Sequence, residues 1–371
     1  MRIGIDVKTL SKRYTGIAVY VHEMIRHFNE MQVEDEFYLF SPKDFDLDLE
    51  LGANFHKVIY SSFNGSLSIL FGFSKIIKKY DVDLFWGPEH IVPIFRRKCK
   101  SVVTIHDLAV MKNHDMGTKF NIFLNKFFVI PSIKKADKVI AISQATANDV
   151  VDLAGIPKSK VSVIYNGDSP YKYSKRNFTK EEEDDIRKKY GLTNNYFLFV
   201  GTIEPRKNIP TVIKAYNIYR RNGGSGKLVI VGGLGWRFEE SLRSIDSSEF
   251  NNDIIQTGYC TNEDKEFLYR NACALLFPSL YEGFGFPIVE AMSVGTPVIT
   301  SNISSMPEVG GKVAFYINNV KDANSLAEMM KKIENMEVDV LEVIRANGIK
   351  RANQFSRTQC AKEILRLFHQ I

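Results

Sequence analysis

The most informative stretch of this 371-residue chain is Tyr281-Glu282-Gly283-Phe284-Gly285-Phe286-Pro287-Ile288-Val289-Glu290-Ala291-Met292. It follows an apolar run at 272–277, which predicts a buried strand. Pro287 suits the first position of a helix, because its missing N–H would have no helical partner there, and Gly295 and Pro297 suit the helix exit. The stretch therefore predicts a strand, a glycine loop at 283–288 and a short helix.

Two glutamates, Glu282 and Glu290, flank this loop eight residues apart. The unpaired N–H groups and the dipole of a helix start attract anions and hydroxyl oxygens. Taken singly, a Glu near a helix start is often only a dipole partner, and a Gly-x-Gly is often only a turn. The complete string is more specific, and it predicts a site that holds a polyhydroxylated, phosphorylated ligand at both ends.

This string resembles the family 4 glycosyltransferases. The resemblance rests on the Glu282–Glu290 spacing, on the Gly-Phe-Gly-Phe-Pro inside it and on the Glu-Ala-Met-x-x-Gly-Thr-Pro-Val-Ile of 290–299. It implies a retaining enzyme of the GT-B fold, an α/β architecture in which two Rossmann-like domains have parallel sheets that face each other across a cleft. It also implies transfer of a sugar from a nucleotide donor without a metal, and it is closest to bacterial mannosyltransferases of O-antigen and capsule assembly.

The resemblance assigns donor contacts to this stretch. Glu282 would bind hydroxyls of the donor sugar and favour a cationic transition state, and Glu290 would bind the ribose diol. The other donor-binding positions that it implies are Gly283, Phe284, Gly285, Ile288 and Val289.

Two further loops are predicted to bind the donor phosphates. Gly16 follows the first strand and opens the first helix, so its backbone can approach a phosphate closely, although Ala18 stands where the family usually has a second glycine. Arg206 and Lys207 follow the first strand of the second half and precede Asn208, a good helix cap. There they could neutralise a diphosphate leaving group, and the alternative is that they are surface charges.

Five strand ends supply the remaining candidates. His106 ends an apolar strand, and the family histidine at this place touches the donor sugar, although a lone strand-end histidine is more often structural. Glu89, His90 and Ser143 are predicted to line the acceptor side. Tyr259, with the glycines at 232, 233 and 258, is predicted to line the nucleobase pocket.

The length fits two domains. Apolar runs alternate with helical patterns, which predicts parallel sheets with crossover helices. Strands are predicted at 2–6, 36–40, 56–60, 84–86, 101–105, 138–142, 161–164, 196–200, 227–231, 254–257, 272–277 and 297–301, and helices at 16–29, 67–80, 119–136 and 144–154. We expect an acceptor-binding domain at 1–170 and a nucleotide-sugar-binding domain at 185–355, and the resemblance implies that the helix near 359–371 returns to the first domain.

The segment 55–138 is basic, with 14 Lys and Arg residues and six Asp and Glu. It includes Arg96 and Arg97 and the aromatic-basic run 119–128, followed by Lys134 and Lys135. Basic residues beside exposed aromatics favour an anionic lipid surface, whereas aromatics in the core would leave only a solvated lysine face. No recognised reader motif supports nucleic acid as the partner.

Other classes of site are not predicted. The four cysteines form no Cys-x-x-Cys pair, which favours a reducing cytoplasm over a zinc site or disulfides. Asp81 and Asp83 resemble a metal-binding pair but precede a strand, away from the edge where ligands collect. No apolar run reaches the roughly 18 residues of a spanning helix, and we expect a cytoplasmic protein, peripheral on the inner face of the bacterial inner membrane, without metal or cofactor.

The leading interpretation is a transferase that moves mannose from GDP-mannose to a lipid-linked oligosaccharide. A covalent route to retention needs a carboxylate placed below the anomeric carbon, and no residue is a settled candidate, so front-face displacement is favoured. A two-domain sugar-nucleotide epimerase or phosphorylase is an alternative, although a phosphorylase would need a cofactor lysine site. A non-catalytic glycan- or nucleotide-binding module is the other.

Overall fold

The structure is a computed structural model that describes residues 1–11, 16–61, 69, 72–95, 98–112, 119–169, 171, 173, 178–192 and 195–371, except for the side chains at 119–121, 124 and 125. The chain divides into two compact units: unit 1 comprises Met1–Pro170 and Ser356–Ile371, and unit 2 comprises Tyr171–Phe355. The predicted basic residues Arg96 and Arg97 and the first residues of the helix predicted at 67–80 lie outside the described residues.

Unit 1 is built on one parallel sheet of seven strands, which are β1 Arg2–Asp6, β2 Glu36–Ser41, β3 Phe55–Ile59, β4 Leu84–Gly87, β5 Lys100–Ile105, β6 Lys138–Ala141 and β7 Val161–Val163. They lie side by side in the order β3-β2-β1-β4-β5-β6-β7. The order runs outward in both directions from β1 and β4, so the carboxyl ends of these two strands form a topological switch point. Ligands of open α/β sheets bind at such points.

Unit 2 is built on a parallel sheet of six strands, which are β8 Tyr196–Val200, β9 Lys227–Val231, β10 Ile254–Gly258, β11 Ala274–Phe277, β12 Val298–Ser301 and β13 Phe315–Ile317. Their order is β10-β9-β8-β11-β12-β13. The switch point of this sheet therefore lies at the carboxyl ends of β8 and β11.

Helices connect the strands. In chain order they are α1 Gly16–Glu30, α2 Ser74–Lys79, α3 Ala109–Lys112, α4 Lys119–Lys135, α5 Gln144–Ala154, α6 Lys180–Tyr190, α7 Ile209–Arg221, α8 Glu239–Asp246, α9 Asn262–Asn271, α10 Phe286–Ser293, α11 Met306–Gly310, α12 Ala323–Glu334, α13 Val338–Ala352 and α14 Arg357–His369. No helix among the described residues combines the length and the apolar character that crossing a bilayer requires.

The last helix, α14, packs into the core of unit 1. Its buried residues Ile364 and Phe368 join the cluster that contains Ile5, Phe28 and Trp86. The ring of Phe368 lies 5.6 Å from Trp86 and 6.4 Å from Phe28, measured between centroids. Unit 1 is therefore completed by residues that follow the whole of unit 2 in sequence.

The prediction of a parallel α/β fold is confirmed, and the predicted strands end within two residues of the observed ones. Strand β13 was not predicted, because it has three residues and two of them are only partly buried. The prediction that Pro287 is the first helical residue is wrong by one position: α10 begins at Phe286, and Gly285 at φ 104° is its N-cap. The left-handed backbone of Gly285 ends the loop, so the helix starts one residue before Pro287.

Candidate active site

Three charged side chains that the sequence indicated separately meet at the switch point of unit 2. Arg206 and Lys207 end the 3-10 turn Pro205–Lys207 after β8, and Glu282 lies in the loop after β11. Nη1 of Arg206 lies 2.5 Å from Oε2 of Glu282, and Nζ of Lys207 lies 2.7 Å from Oε1. Lys207 and Glu282 are only 7% and 6% exposed, so both ions of this pair are withdrawn from bulk water.

A second carboxylate extends this cluster. Oε1 of Glu204 lies 2.7 Å from Nη2 of Arg206, so the charges alternate in the order Glu204, Arg206, Glu282, Lys207. Glu204 was not among the residues predicted from the sequence, although its place two residues before Arg206 in a turn was the available signal. Glu204 leaves the guanidinium paired even where Glu282 is engaged elsewhere.

The pKa of Glu282 reflects this setting. Burial raises the pKa of its carboxyl, but the charges of Arg206 and Lys207 outweigh burial and hold it at about 2. Burial also lowers the pKa of Lys207, against the opposing effect of Glu282. The carboxylate is consequently ionised throughout the neutral range, and it is the group that keeps the buried ammonium charged.

Two backbone features place Lys207. Gly201 directly after β8 has φ 155°, and a Cβ at that position would lie 3.3 Å from Cε of Lys207, so a glycine leaves room for the lysine stem. Asn208 occupies the N-cap position of α7, as the sequence predicted, but without a capping hydrogen bond from its side chain. Its backbone is left-handed at φ 60°, and its side-chain amide donates to the carbonyls of Pro278 and Val320. Asn208 therefore ties the turn to the neighbouring loops.

The start of α10 offers less to an anion than the sequence suggested. Pro287 has no N–H, and the N–H of Ile288 donates to the carbonyl of Gly285 at 3.0 Å. The side chains of Phe284, Ile288 and Val289 are buried, at 2%, 0% and 1% exposure. Phe284 packs on Phe286 and Phe355. These predicted donor-binding positions thus shape the loop, together with Gly283 and Gly285, while their side chains face the core.

Glu290 is held by two groups of α9. The hydroxyl of Tyr269 donates to Oε2 of Glu290 at 2.8 Å, and Nζ of Lys265 lies 3.5 Å from Oε1. Tyr269 is fully buried, which fixes the carboxylate on the first turns of α10. Tyr269 and Lys265 could not be predicted as partners of Glu290, because their proximity depends on the packing of α9 against α10.

Tyr259 follows β10 and is 81% exposed. A Cβ at Gly233 would lie 2.3 Å from Cε2 of Tyr259, so the ring lies over the backbone of Gly233. The N–H of Gly232 donates to the carbonyl of Gly258 at 2.9 Å. The structure thus brings together the residues predicted to line a nucleobase pocket, and an exposed aromatic ring is a stacking surface.

In unit 1, His106 follows β5 and is 8% exposed. Its Nε2 lies 2.8 Å from the carbonyl oxygen of Pro88, and since a carbonyl only accepts, Nε2 carries the proton and Nδ1 is the acceptor. The backbone N–H of His106 donates to Nε2 of His90 at 3.0 Å. Burial lowers the pKa of each histidine to about 4, so both rings are neutral at neutral pH.

Gly16 is the first residue of α1, and its neighbour Thr15 lies outside the described residues. Among the described residues, no heavy atom lies within 4 Å of a Cβ placed on Gly16, so the backbone there is open. Ser143 is fully buried and caps α5, with its hydroxyl oxygen accepting from the N–H of Thr146 at 3.0 Å. Its hydroxyl is therefore used within the fold, and its place on the acceptor side stays a prediction.

A further charged cluster lies at the switch point of unit 1. Nζ of Lys8 lies 2.7 Å from Oδ2 of Asp6 and 2.7 Å from Oε2 of Glu89. Asp6 ends β1, Lys8 opens the 3-10 turn Lys8–Ser11, and Glu89 follows β4. Only Glu89 was a candidate from the sequence, because a lysine after a strand reads as a surface residue until the strand order is known.

The aromatic-basic helix α4 combines the two alternatives that the sequence left open, because it has both exposed aromatic side chains and buried apolar ones. Phe123 and Phe127 are 61% and 46% exposed and lie 6.0 Å apart between ring centroids, whereas Val129 is buried. Exposed lysines at 126, 134 and 135 share the helix, and the side chain of Lys119 lies outside the described residues. We refer to Phe123 and Phe127 as the phenylalanine patch.

Among the described residues, no group of three or more His, Cys, Asp or Glu side chains is arranged to hold a metal ion. Asp81 and Asp83 both bind groups of Arg2. Asp81 pairs with the guanidinium of Arg2 at 2.9 Å, and Asp83 accepts from the backbone N–H of Arg2 at 2.8 Å.

Two family models match the chain. Residues 14–168 match the model described as Glycosyltransferase Family 4, and residues 182–351 match the model described as Glycosyl transferases group 1. The two matches cover parts of unit 1 and unit 2 respectively.

Curated relatives and solved structures agree with these matches. The chain is 28% identical to O-antigen chain mannosyltransferase B from Escherichia coli over 79% of this chain and 75% of that protein. It is also 28% identical to O-antigen chain mannosyltransferase RfbU from Salmonella typhimurium, over 70% of this chain and 67% of that protein. Among solved structures, Anabaena HepE in complex with UDP-glucose superimposes over the full length of both chains with a TM-score of 0.76 at 17% identity.

Proposed function

Since this chain belongs to the family 4 glycosyltransferases and has the GT-B fold, we propose that it transfers mannose from GDP-mannose, with retention of configuration, to a lipid-linked oligosaccharide in polysaccharide synthesis. The names of the two curated relatives support mannose as the sugar and O-antigen as the product class. Unit 2 would bind the nucleotide sugar, and unit 1 would bind the acceptor.

The buried cluster of Arg206, Glu282 and Lys207 is the observation that carries this proposal. It places two cations and one carboxylate at the switch point of unit 2, where ligands of α/β sheets bind. Glu282 pairs with both cations, and Glu204 supplies the second negative charge. A donor diphosphate at this point would share their charge, and Glu282 could then accept hydrogen bonds from hydroxyls of the donor sugar.

The remaining donor contacts are proposed at three other positions. Glu290, fixed by Tyr269, would accept hydrogen bonds from the ribose diol. The exposed ring of Tyr259 would stack on the base. The open backbone at Gly16 would donate its N–H to a phosphate.

The reaction needs one bond to break and one to form at the anomeric carbon. As the bond to the diphosphate breaks, its electron pair stays on the phosphate oxygen, and Arg206 and Lys207 stabilise the charge that develops there. The acceptor oxygen attacks from the same face, and the departing phosphate oxygen takes its proton. The lone pair on Nδ1 of the neutral His106 would orient a sugar hydroxyl and stabilise positive charge near the reacting carbon.

A lipid-linked acceptor requires that the protein meet a membrane. The phenylalanine patch and the exposed lysines of α4 support adsorption of unit 1 to an anionic surface, which would place the protein on the cytoplasmic face of the inner membrane.

The test is transfer of labelled mannose from GDP-mannose to lipid-linked acceptors extracted from bacterial membranes. We expect Lys207→Met to lower kcat about 100-fold or more, because one preorganised contact to the developing charge is lost. Lys214→Met is the matched control, since Lys214 is an exposed lysine of the neighbouring helix α7. UDP-glucose and ADP-glucose serve as competing donors.

Three outcomes would contradict the proposal. Parent-like transfer by folded Lys207→Met would refute the role of the cation pair. Preference for another donor would refute GDP-mannose. Conversion of the nucleotide sugar to an isomer, with no product that depends on acceptor, would identify an epimerase.

A further inference from the structure

The cluster of Asp6, Lys8 and Glu89, which we call the unit 1 triad, has no role in the steps above. It lies where β1 and β4 end, at the switch point of unit 1, so its position relative to this sheet matches that of the donor cluster in unit 2. Asp6 and Lys8 are 2% and 4% exposed, whereas the Glu89 side chain is 27% exposed. Asp6 and Lys8 are therefore the buried members of the triad, and Glu89 is the accessible one.

The triad has more hydrogen-bond acceptors than the ammonium can satisfy. Oδ2 of Asp6 accepts from the Lys8 ammonium at 2.7 Å, and Oδ1 accepts from the Lys8 backbone N–H at 3.2 Å. Oε2 of Glu89 lies 2.7 Å from the same ammonium as an ion pair, but it has no hydrogen-bond partner in the described part of the chain. Among the described residues, no third partner of the Lys8 ammonium lies within reach of an ion pair or hydrogen bond. A ligand that both donates and accepts hydrogen bonds would complete this arrangement.

Two buried hydroxyls beside the triad also lack partners. In the described part of the chain, neither the Thr9 hydroxyl nor the Tyr60 hydroxyl has a hydrogen-bond partner, and the residues are only 5% and 6% exposed. Thr9 is adjacent to Lys8 in the same 3-10 turn, and the pKa of the Tyr60 phenol is raised by burial and, to a smaller extent, by the charge of Asp6. Buried hydroxyls are almost always paired with protein or with ordered water, so these two are available to a water or to a bound group.

We propose that the unit 1 triad is a subsite for a neutral sugar hydroxyl of the acceptor. The hydroxyl donates to the carboxylate of Glu89 and accepts from the remaining N–H of Lys8. Asp6 holds Lys8, and Lys8 is a positioning residue that holds Glu89. A hydroxyl fits because it is both donor and acceptor, whereas a phosphate oxygen has no proton to offer two carboxylates and is repelled by them.

This inference rests on the proposed function in taking unit 1 as the acceptor-binding unit. Direct binding measurements test this inference and the proposed function separately. Saturation-transfer NMR with methyl α-mannoside, methyl α-glucoside and methyl α-galactoside reports on the triad. A thermal shift with GDP-mannose reports on the donor site. We expect the parent to bind at least one glycoside and Glu89→Gln and Lys8→Met to lose the signal, while the shift with GDP-mannose stays unchanged. Lys75→Met, at an exposed lysine of α2, is the matched control.

Kinetics give a second readout that a purely structural role would not produce. With transfer to the lipid-linked acceptor as the assay, Lys8→Met should raise KM for the acceptor about tenfold or more and leave KM for the donor within twofold. Lys8→Arg should restore part of the loss. Glu89→Gln keeps the test valid if Lys8→Met does not fold, because Glu89 is the accessible member.

The proposal is overturned if the parent binds none of the three glycosides, or if Glu89→Gln binds them as the parent does. Tighter binding of mannose 6-phosphate than of the neutral glycosides would also overturn it. Failure of GDP-mannose to shift the melting temperature, with glycoside binding intact, would instead refute the proposed donor.

Discussion

Replacing Glu282 by Gln should destabilise unit 2 markedly, because it leaves the ammonium of Lys207 buried without a carboxylate. In the structure, Glu282 is the residue that pairs Lys207, at 2.7 Å, whereas Arg206 has a second partner in Glu204. The pKa of Glu282 is lowered from 4.5 to about 2. That shift corresponds to about 3 kcal/mol of stability at neutral pH, which agrees with the roughly 3–5 kcal/mol lost when one member of a buried pair is removed.

The sign of the pH dependence follows from the direction of the shift. A carboxyl whose pKa is lowered on folding stabilises the protein above pH 4.5, and that contribution is lost as the pH falls toward about 2. The lost carboxylate contributes no pH dependence of its own between pH 6 and pH 8, but burial then lowers the pKa of Lys207 without the opposing effect of Glu282. The cost of Glu282→Gln should consequently become smaller as the pH rises, because the buried amine can lose its proton. Charge removal is thus expected to affect the fold as well as catalysis.

The assay is urea-dependent hydrogen exchange read by mass spectrometry at peptides from β8 and β11, which measures unit 2 apart from unit 1. Glu263→Gln, at an exposed glutamate of α9, is the control and should change stability by less than about 0.5 kcal/mol. Adding Lys207→Met to Glu282→Gln should recover part of the loss, because it removes the unpaired charge. The reasoning is refuted if Glu282→Gln is as stable as the control.

Two further predictions concern unit 1. Burial lowers the pKa of His90 and His106 from 6.5 to about 4, so the unfolded chain binds more protons than the folded one below pH 6.5, and unit 1 should lose about 1 kcal/mol of stability per histidine between pH 7.5 and pH 5.5. His106→Asn should reduce this pH dependence in a urea titration read at peptides from β5. The burial argument is contradicted if the pH dependence is unchanged in both His106→Asn and His90→Asn. Replacing Phe123 and Phe127 by Ser should weaken sedimentation with vesicles that contain phosphatidylglycerol, and added salt should weaken parent binding as well, since screening shortens the reach of the lysines. Val343→Ser, at a residue of α13 that is 60% exposed, is the matched control, and equal sedimentation of all three proteins would exclude the phenylalanine patch as the contact.

The sequence predicted helices and strands well where the hydrophobic periodicity agreed with the glycine and proline positions that end an element. The apolar run before Glu282 and the Gly-Phe-Gly-Phe-Pro after it located β11 and α10 to within two residues. The class of fold followed from the alternation of apolar runs and helical patterns. These signals are local, and local chemistry decides them.

The pairing of distant residues could not be predicted in the same way. Arg206 and Glu282 are 76 residues apart, and their contact depends on β8 lying next to β11. Lys8 and Glu89 meet only because β1 lies next to β4. The motif at 288–289 indicated a donor site, yet the side chains of Ile288 and Val289 face the core, since a helix that starts against a sheet buries its first turn. Side-chain direction and strand order are properties of the assembled sheet.

The place of α14 in unit 1 has a consequence for folding of the protein during its synthesis. Unit 1 emerges first, but Ile364 and Phe368, which cover Trp86 and Phe28, are translated only after all of unit 2. Domains generally fold as units and in the order of their synthesis. Here that order is interrupted: unit 2 has all of its strands available while unit 1 still exposes an apolar groove. Nascent chains that stall before residue 357 should therefore be clients of chaperones, with unit 2 folded and unit 1 waiting for its last helix.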